Sequence, residues 1–407
     1  MQEISFMKDK ILTILLIFAL SATFVFNILV RTGDQQYSNL AQSFLQGKFY
    51  FLDGSRSWGD SVFYKGHYFW PLGPFPSILL TPFVYIFNLK NIFFYQGYLQ
   101  FFLTLGVFYF CRKIAKHFGF SEKDSLFLSF AFCFATVYQQ IALVSWSWYF
   151  VQAVTTLLIF WAISEYLTKR RFWLIGTIFA LICMSRFTAG LGILFFLLNI
   201  LSEVKKSFYE KAKNLSQLLA PVVLAGILLL LYNYFRFENI WDNGYVETNN
   251  STLTSVQRFE LENYGLFSLK NIPTNFYYYF IKTVDPTTLD VQSSHGNTYV
   301  LKFPFVRAGF PGVGFFITSP IFLYIFKADF RKKINKFALY TIVLILILLL
   351  TYYWPGYRQT GPRYMLDLLP FAYLILLSCF KGKKLSNFIV ALIIFSSFFN
   401  FYLFAFS

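Results

Sequence analysis

The chain has 407 residues, of which 57% are hydrophobic and only 13% charged, and its mean hydropathy of +0.54 excludes an ordinary water-soluble fold. A formal charge of +16 is also typical of nucleic-acid binders, but here the basic residues stand in short runs between apolar segments, the pattern of membrane topology; nucleic acid is discounted as a partner. The four cysteines, Cys111, Cys133, Cys183 and Cys379, lie within or beside apolar segments, so neither disulfides nor a cysteine metal site is expected.

Basic clusters at residues 8–10, 112–123, 169–171, 205–213, 327–336 and 381–384 hold more than half of the 35 Lys and Arg and mark the cytoplasmic side. With these inside, the predicted spans are 11–30, 92–110, 126–143, 149–166, 172–184, 187–201, 215–235, 304–326, 337–353, 366–380 and 385–404. The longest runs near twenty apolar residues, about twice the length of an outer-membrane strand and without its alternation, so the fold class is all-α. A single polytopic membrane domain over residues 1–407, a multi-pass helical bundle of about eleven to twelve membrane segments, is expected. The first run is too long for a signal peptide and is followed by no small-residue cleavage site, so it reads as an anchor with a cytoplasmic amino terminus. Residues 74–87, with Pro74, Pro76 and Pro82, read as a re-entrant segment or a short helix.

This topology leaves three extracytoplasmic stretches: residues 31–72, 236–303 and 354–363. The first two far exceed ordinary connectors, and more than half of the 19 acidic residues fall outside with them, so function is sought there. Asp34 stands a few residues past the first helix, at the membrane surface. A carboxylate there suits a general base that takes a proton from an acceptor hydroxyl, and equally suits a helix cap. Asp53, Asp60, His67, Tyr68 and Trp70 interleave polar and aromatic groups, a mixture that fits a sugar or acceptor, or an interfacial aromatic belt. Arg186 interrupts an apolar stretch and at that depth must face a cavity, a partner or the outer surface. Arg358 and Arg363 are candidates to clamp a lipid phosphate; the plainer readings are headgroup contact or a pair with Asp367. Asp285, Asp290 and His295 lack metal-ligand spacing, Gly190-Leu191-Gly192 reads as a helix-packing site, and no nucleotide loop is visible, so no metal or cofactor is assigned.

Three stretches carry a resemblance: Gly33-Asp34-Gln35-Gln36-Tyr37 with Leu40-Ala41-Gln42-Ser43, Tyr68-Phe69-Trp70-Pro71 running to Pro76, and Arg358-Gln359-Thr360-Gly361-Pro362-Arg363-Tyr364. In this order, with the helix pattern, they resemble the GT-C superfamily of polytopic glycosyltransferases, especially bacterial relatives of dolichyl-phosphate-mannose protein mannosyltransferases and aminoarabinose transferases. The resemblance implies transfer of a sugar from a polyprenyl-phosphate donor to a glycan, lipid or protein acceptor on the outer face of a cell membrane. It places Asp34 near the reacting centre, with Asp53 and Asp60 as possible substitutes, and assigns Arg186, Arg358 and Arg363 to the donor phosphate. Relatives commonly carry a second acid beside the first, where this chain has Gln35 and Gln36, which weakens any metal-bridging role. Two other classes stay open on the residues alone: a transporter or flippase for an anionic lipid or glycan, and a cell-surface polysaccharide polymerase or ligase.

Overall fold

The computed structural model describes residues 2–30, 34–52, 60–244, 254–293, 296–357 and 359–406. Helix α1 (Gln2–Phe24) runs into a wide turn at Val25–Leu29 and is followed by α2 (Gln36–Leu45). Strands β1 (Val62–Tyr64) and β2 (His67–Phe69) form a small antiparallel hairpin, and α3 (Phe75–Asn88) follows. The bundle continues with α4 (Gln96–His117), α5 (Glu122–Phe134), α6 (Tyr138–Leu143), α7 (Ser147–Thr168) and α8 (Phe172–Cys183). Next come α9 (Phe187–Gly190), α10 (Ile193–Leu201), α11 (Phe208–Phe237), α12 (Ser255–Tyr264) and α13 (Ile272–Phe276). A second antiparallel hairpin pairs β3 (Asp285–Ser293) with β4 (Gly296–Arg307). The chain ends with α14 (Phe315–Thr318), α15 (Lys333–Thr351), α16 (Leu369–Phe380) and α17 (Asn387–Ala405).

Among the described residues five helical stretches are long and apolar enough to cross a membrane: Lys10–Leu29, Ser147–Thr168, Phe208–Phe237, Lys333–Thr351 and Asn387–Ala405. They are not equivalent. The span in α7 is 83% buried inside the protein and that in α11 only 17%, so α7 is the central post and α11 presents its apolar sides outward, where a bilayer would cover them. Gly176 of α8 lets that helix lie directly on α11, because a Cβ there would overlap the Gln217 and Leu218 carbonyls.

Several predicted boundaries change. Residues 304–326 form no continuous helix: β4 runs to Arg307, a loop with Pro311 and three glycines follows, and the chain resumes as α14 and a 3-10 turn at Pro320–Lys327. Proline removes a backbone donor and glycine relaxes the helical preference, so an apolar composition there does not produce a spanning helix. Residues 126–143 divide into α5 and α6, and 187–201 into α9 and α10. Residues 74–87 are the short helix α3, while the second long stretch folds the β3–β4 hairpin, rich in Thr, Val, Tyr and Phe.

The break after α5 sits against other helices, where backbone carbonyls need protein partners. Side-chain amides supply them. Asn27 donates to the Ala142 carbonyl at 2.6 Å, Gln100 to the Ile141 and Val144 carbonyls, Gln96 to Ser145 at 2.9 Å, and Asn400 to Thr136 at 3.4 Å, while Gln139 of the broken segment donates outward to the Ser397 carbonyl of α17 at 3.1 Å. These clamps fix the residues leading into α7.

Candidate active site

The clamp extends to the first loop. The Gln96 amide and the Ser147 hydroxyl both donate to the Asp34 carbonyl, at 3.1 and 3.2 Å, and the backbone N–H groups of Gln36 and Tyr37 donate to Ser147 Oγ and Gln96 Oε1. Gln35 returns the bond, its side-chain oxygen accepting from the Gln96 backbone at 2.8 Å. Gln35 thus binds backbone, which is why an amide can occupy a position next to Asp34. The N-cap residue of α2 is Gln35, without a side-chain cap bond, so the helix-cap reading does not describe Asp34. Asp34 itself is half-buried.

Asp60 joins this acid. The Trp148 indole hydrogen-bonds its carboxyl, and both Arg363 and Asp34 lie near enough to act on its charge. Asp60 presents surface to solvent, yet protein atoms packed about its carboxyl withdraw it from water and hold it above the usual carboxylate range. The neighbouring negative charge of Asp34 acts in the same direction, against Trp148 and Arg363.

On the other side of Trp148 opens a cavity of about 380 Å³ whose walls include Arg186, Arg236, Arg363, Tyr232 and Tyr364. Arg186 forms a two-pronged ion pair with the fully buried Asp367, both bonds 3.0 Å, and Thr188 donates to the same carboxylate at 2.5 Å. Arg186, and not Arg363, is therefore the partner of Asp367. The Arg186 guanidinium also lies over the Tyr364 ring at 5.5 Å. The turn carrying it packs on Gly73, where a Cβ would overlap the Met184 carbonyl that Phe75 N–H bonds at 3.1 Å.

Arg363 starts a 3-10 turn at Arg363–Asp367 and is buried between Tyr149 and Tyr364, with ring distances of 5.1 and 4.8 Å. Its carbonyl receives the Gln152 amide from α7 at 3.3 Å, while its Nε is buried without a hydrogen-bond acceptor among the described residues. Arg236, in the last turn of α11, donates to the Trp70 carbonyl at 2.7 Å and to Asn233 at 2.7 Å, and stacks over Tyr232 and Phe237 at 4.1 and 4.7 Å. Its Nε is likewise buried and unmatched. Arg236 has no distinguishing signal in the sequence, since a basic residue at a helix end is ordinary; only burial distinguishes it from a headgroup contact.

The aromatic candidates separate. Trp70 is fully buried, its ring edge-on to Tyr37 at 5.7 Å and to Trp148 at 5.9 Å, so it backs the site. His67 is stacked on Tyr50 at 3.8 Å, and Tyr68 packs on Phe63 at 4.9 Å; neither lines the arginine cavity. Asp53 and Arg358 lie outside the described residues. Among the described residues no three His, Cys, Asp or Glu side chains gather into a cation site.

A second recess, of about 580 Å³, lies across the Trp146–Tyr149 ring contact of 5.3 Å. Its described walls, among them Phe26, Val144, Trp146, Phe310 and Phe404, carry no formal charge and include Gln140, Gln359 and Tyr357 as polar groups.

No family model matches the chain, and no curated protein matches it. A solved structure of the archaeal oligosaccharyltransferase AglB from Archaeoglobus fulgidus, in complex with an inhibitory peptide and a dolichol-phosphate, is similar to it at 14% identity with a TM-score of 0.48. The alignment covers 98% of this chain and 56% of that one, so the chain spans little more than half the length of the structure it matches.

Proposed function

We propose that the protein is a membrane glycosyltransferase that moves a sugar from a polyprenyl-phosphate donor to an acceptor hydroxyl on the extracytoplasmic face. The observation that carries this reading is the meeting of a three-arginine cavity with the Asp34–Asp60 acid pair at Trp148. Buried guanidinia held over aromatic rings form a site for an anion, because charge-assisted bonds to phosphate are strong where water is scarce. Asp367 already neutralises Arg186. The buried Nε atoms of Arg236 and Arg363 match acceptor oxygens that the described residues do not provide.

With the donor phosphate on these arginines, its sugar extends past Trp148 toward Asp34 and Asp60. Asp34 takes the proton of the acceptor hydroxyl as that oxygen attacks the anomeric carbon. The carbon–oxygen bond to the phosphate breaks on the opposite face, the electron pair leaves on polyprenyl phosphate, and the configuration inverts. Arg363 and Arg236 stabilise the charge that grows on the departing phosphate. Asp60, with its carboxyl held high, sets the charge beside Asp34 and borders the sugar. No step requires a nucleotide sugar.

The test is retention of donor by the purified protein in detergent, read by native mass spectrometry across a panel of polyprenyl-phosphate sugars. Retention of one donor, lost on Arg363→Ala and Arg236→Ala, supports the reading and identifies the sugar. No retention across the panel overturns it in favour of a transport protein.

A further inference from the structure

In the β3–β4 hairpin the described stem of β3 is mixed, with Asp285, Thr287, Thr288 and Leu289, but β4 carries an exposed apolar run. Leu289, Tyr299, Val300, Leu301, Phe303 and Phe305 are between 48% and 65% exposed. In a water-facing ribbon one face would be polar, since successive side chains alternate across the strand, and a lone two-stranded hairpin is barely stable in water. Here Tyr299, Leu301 and Phe303 share one face of β4, with Thr288 opposite Leu301, while Val300 and its cross-strand neighbour Leu289 occupy the other together with Lys302. A contiguous apolar surface of this kind marks contact with something other than water.

One observation identifies what covers it. The stem is continuous with a membrane-spanning surface: Phe303 lies 5.0 Å, edge to face, from Phe406, just past the end of α17. At that end α17 also meets the end of α1 through Phe404 and Phe26 at 5.3 Å, and farther along it presents Phe388, Phe395 and Phe398 outward.

We propose that the β3–β4 hairpin is an interfacial membrane anchor, the apolar run of β4 lying in the headgroup and acyl boundary beside α1 and α17. Lys302, exposed between Leu301 and Phe303, then meets the lipid headgroups. The anchor holds the 308–311 segment, one wall of the uncharged recess, at the membrane surface. This does not depend on the reaction assigned to the arginine cavity.

The experiment uses the full chain in phosphatidylcholine–phosphatidylglycerol vesicles, with Cys183 and Cys379 changed to Ser. Nitroxide labels are placed singly at Leu301→Cys, Phe303→Cys and, on the other strand, Leu289→Cys, with Lys383→Cys, exposed in the loop before α17, as the reference. Stem labels are expected to collide several-fold more often with oxygen than with a water-soluble nickel chelate, at depths of about 5–10 Å, and the reference label the reverse. Stem labels as open to the chelate as the reference overturn the proposal. So do stem labels shielded from both agents; if their spectra are broadened by spin–spin coupling that dilution with unlabelled protein removes, a second copy covers the ribbon. Agreement between Leu289 and the β4 positions guards against one misfolded variant.

Discussion

The two recesses on either side of Trp146 and Tyr149 are of similar scale, about 380 and 580 Å³, but opposite in electrostatics. One concentrates three guanidinia, two of them with an unmatched buried nitrogen; the other has uncharged described walls. Burying cations is costly unless they gain a partner; Asp367 supplies one for Arg186, whereas Arg236 and Arg363 are held by backbone and ring contacts. The uncharged recess carries no such cost. The difference teaches that burial and pairing, not the mere presence of a basic residue near the membrane, single out the cavity proposed for an anion.

The strongest way to break this comparison is to remove the carboxylate behind the arginines. Asp367→Ala leaves Arg186 without its ion-pair partner and is expected to destabilise the fold by about 3–5 kcal/mol, seen as a lowered unfolding midpoint in detergent. An unchanged midpoint would show that the pair is dispensable. Asp34→Asn should lower transfer by about 10²–10⁴-fold while donor retention and melting stay at the parent level, because the amide cannot accept the proton. Full activity in that variant would move the base to another residue. Arg363→Ala and Arg236→Ala should each weaken donor binding by roughly ten- to a hundredfold through lost charge-assisted bonds, measured by titration of a labelled donor. Equal affinity in both would separate the cavity from the donor.

A smaller effect concerns pH. The Asp60 carboxyl titrates above the ordinary carboxylate range, so as pH falls it takes up a proton earlier than a free carboxylate would. Activity is expected to fall on the acid side as this charge is lost, and Asp60→Asn should flatten that limb of the kcat profile; an unaltered limb would assign it to Asp34. The smallest effect is expected across the ring layer: Val144→Thr, in the uncharged recess, should leave donor affinity within about twofold, since it alters no charge or charged bond near the arginines. A large loss would join the two recesses into one site.

Much of the helix pattern was legible because about twenty apolar residues in a row leave few alternatives to a spanning helix. The failures came where composition and backbone chemistry disagree: residues 304–326 are apolar enough to span, but Pro311, Pro320 and neighbouring glycines end regular structure. Asp34 and Arg186 stood out locally, one just past a helix and the other within an apolar run. Arg236 did not, because its importance lies in contacts with Trp70, 166 positions away, and with two rings. Gln96, Gln100 and Asn27 were likewise silent: an amide in an apolar helix has no visible purpose until a broken backbone segment is brought against it.

By itself the sequence determined that the chain belongs in a bilayer, that it is helical, and that an acid follows the first span, since each depends on neighbours along the chain. Only the tertiary structure decided that Arg186 takes Asp367, that Gln35 binds backbone beside Asp34, and that Asp60 and three arginines meet at Trp148. Those facts join residues separated by up to about three hundred positions, through ion pairs and ring contacts whose strength depends on exclusion of water, and one-dimensional spacing contains no information about that exclusion.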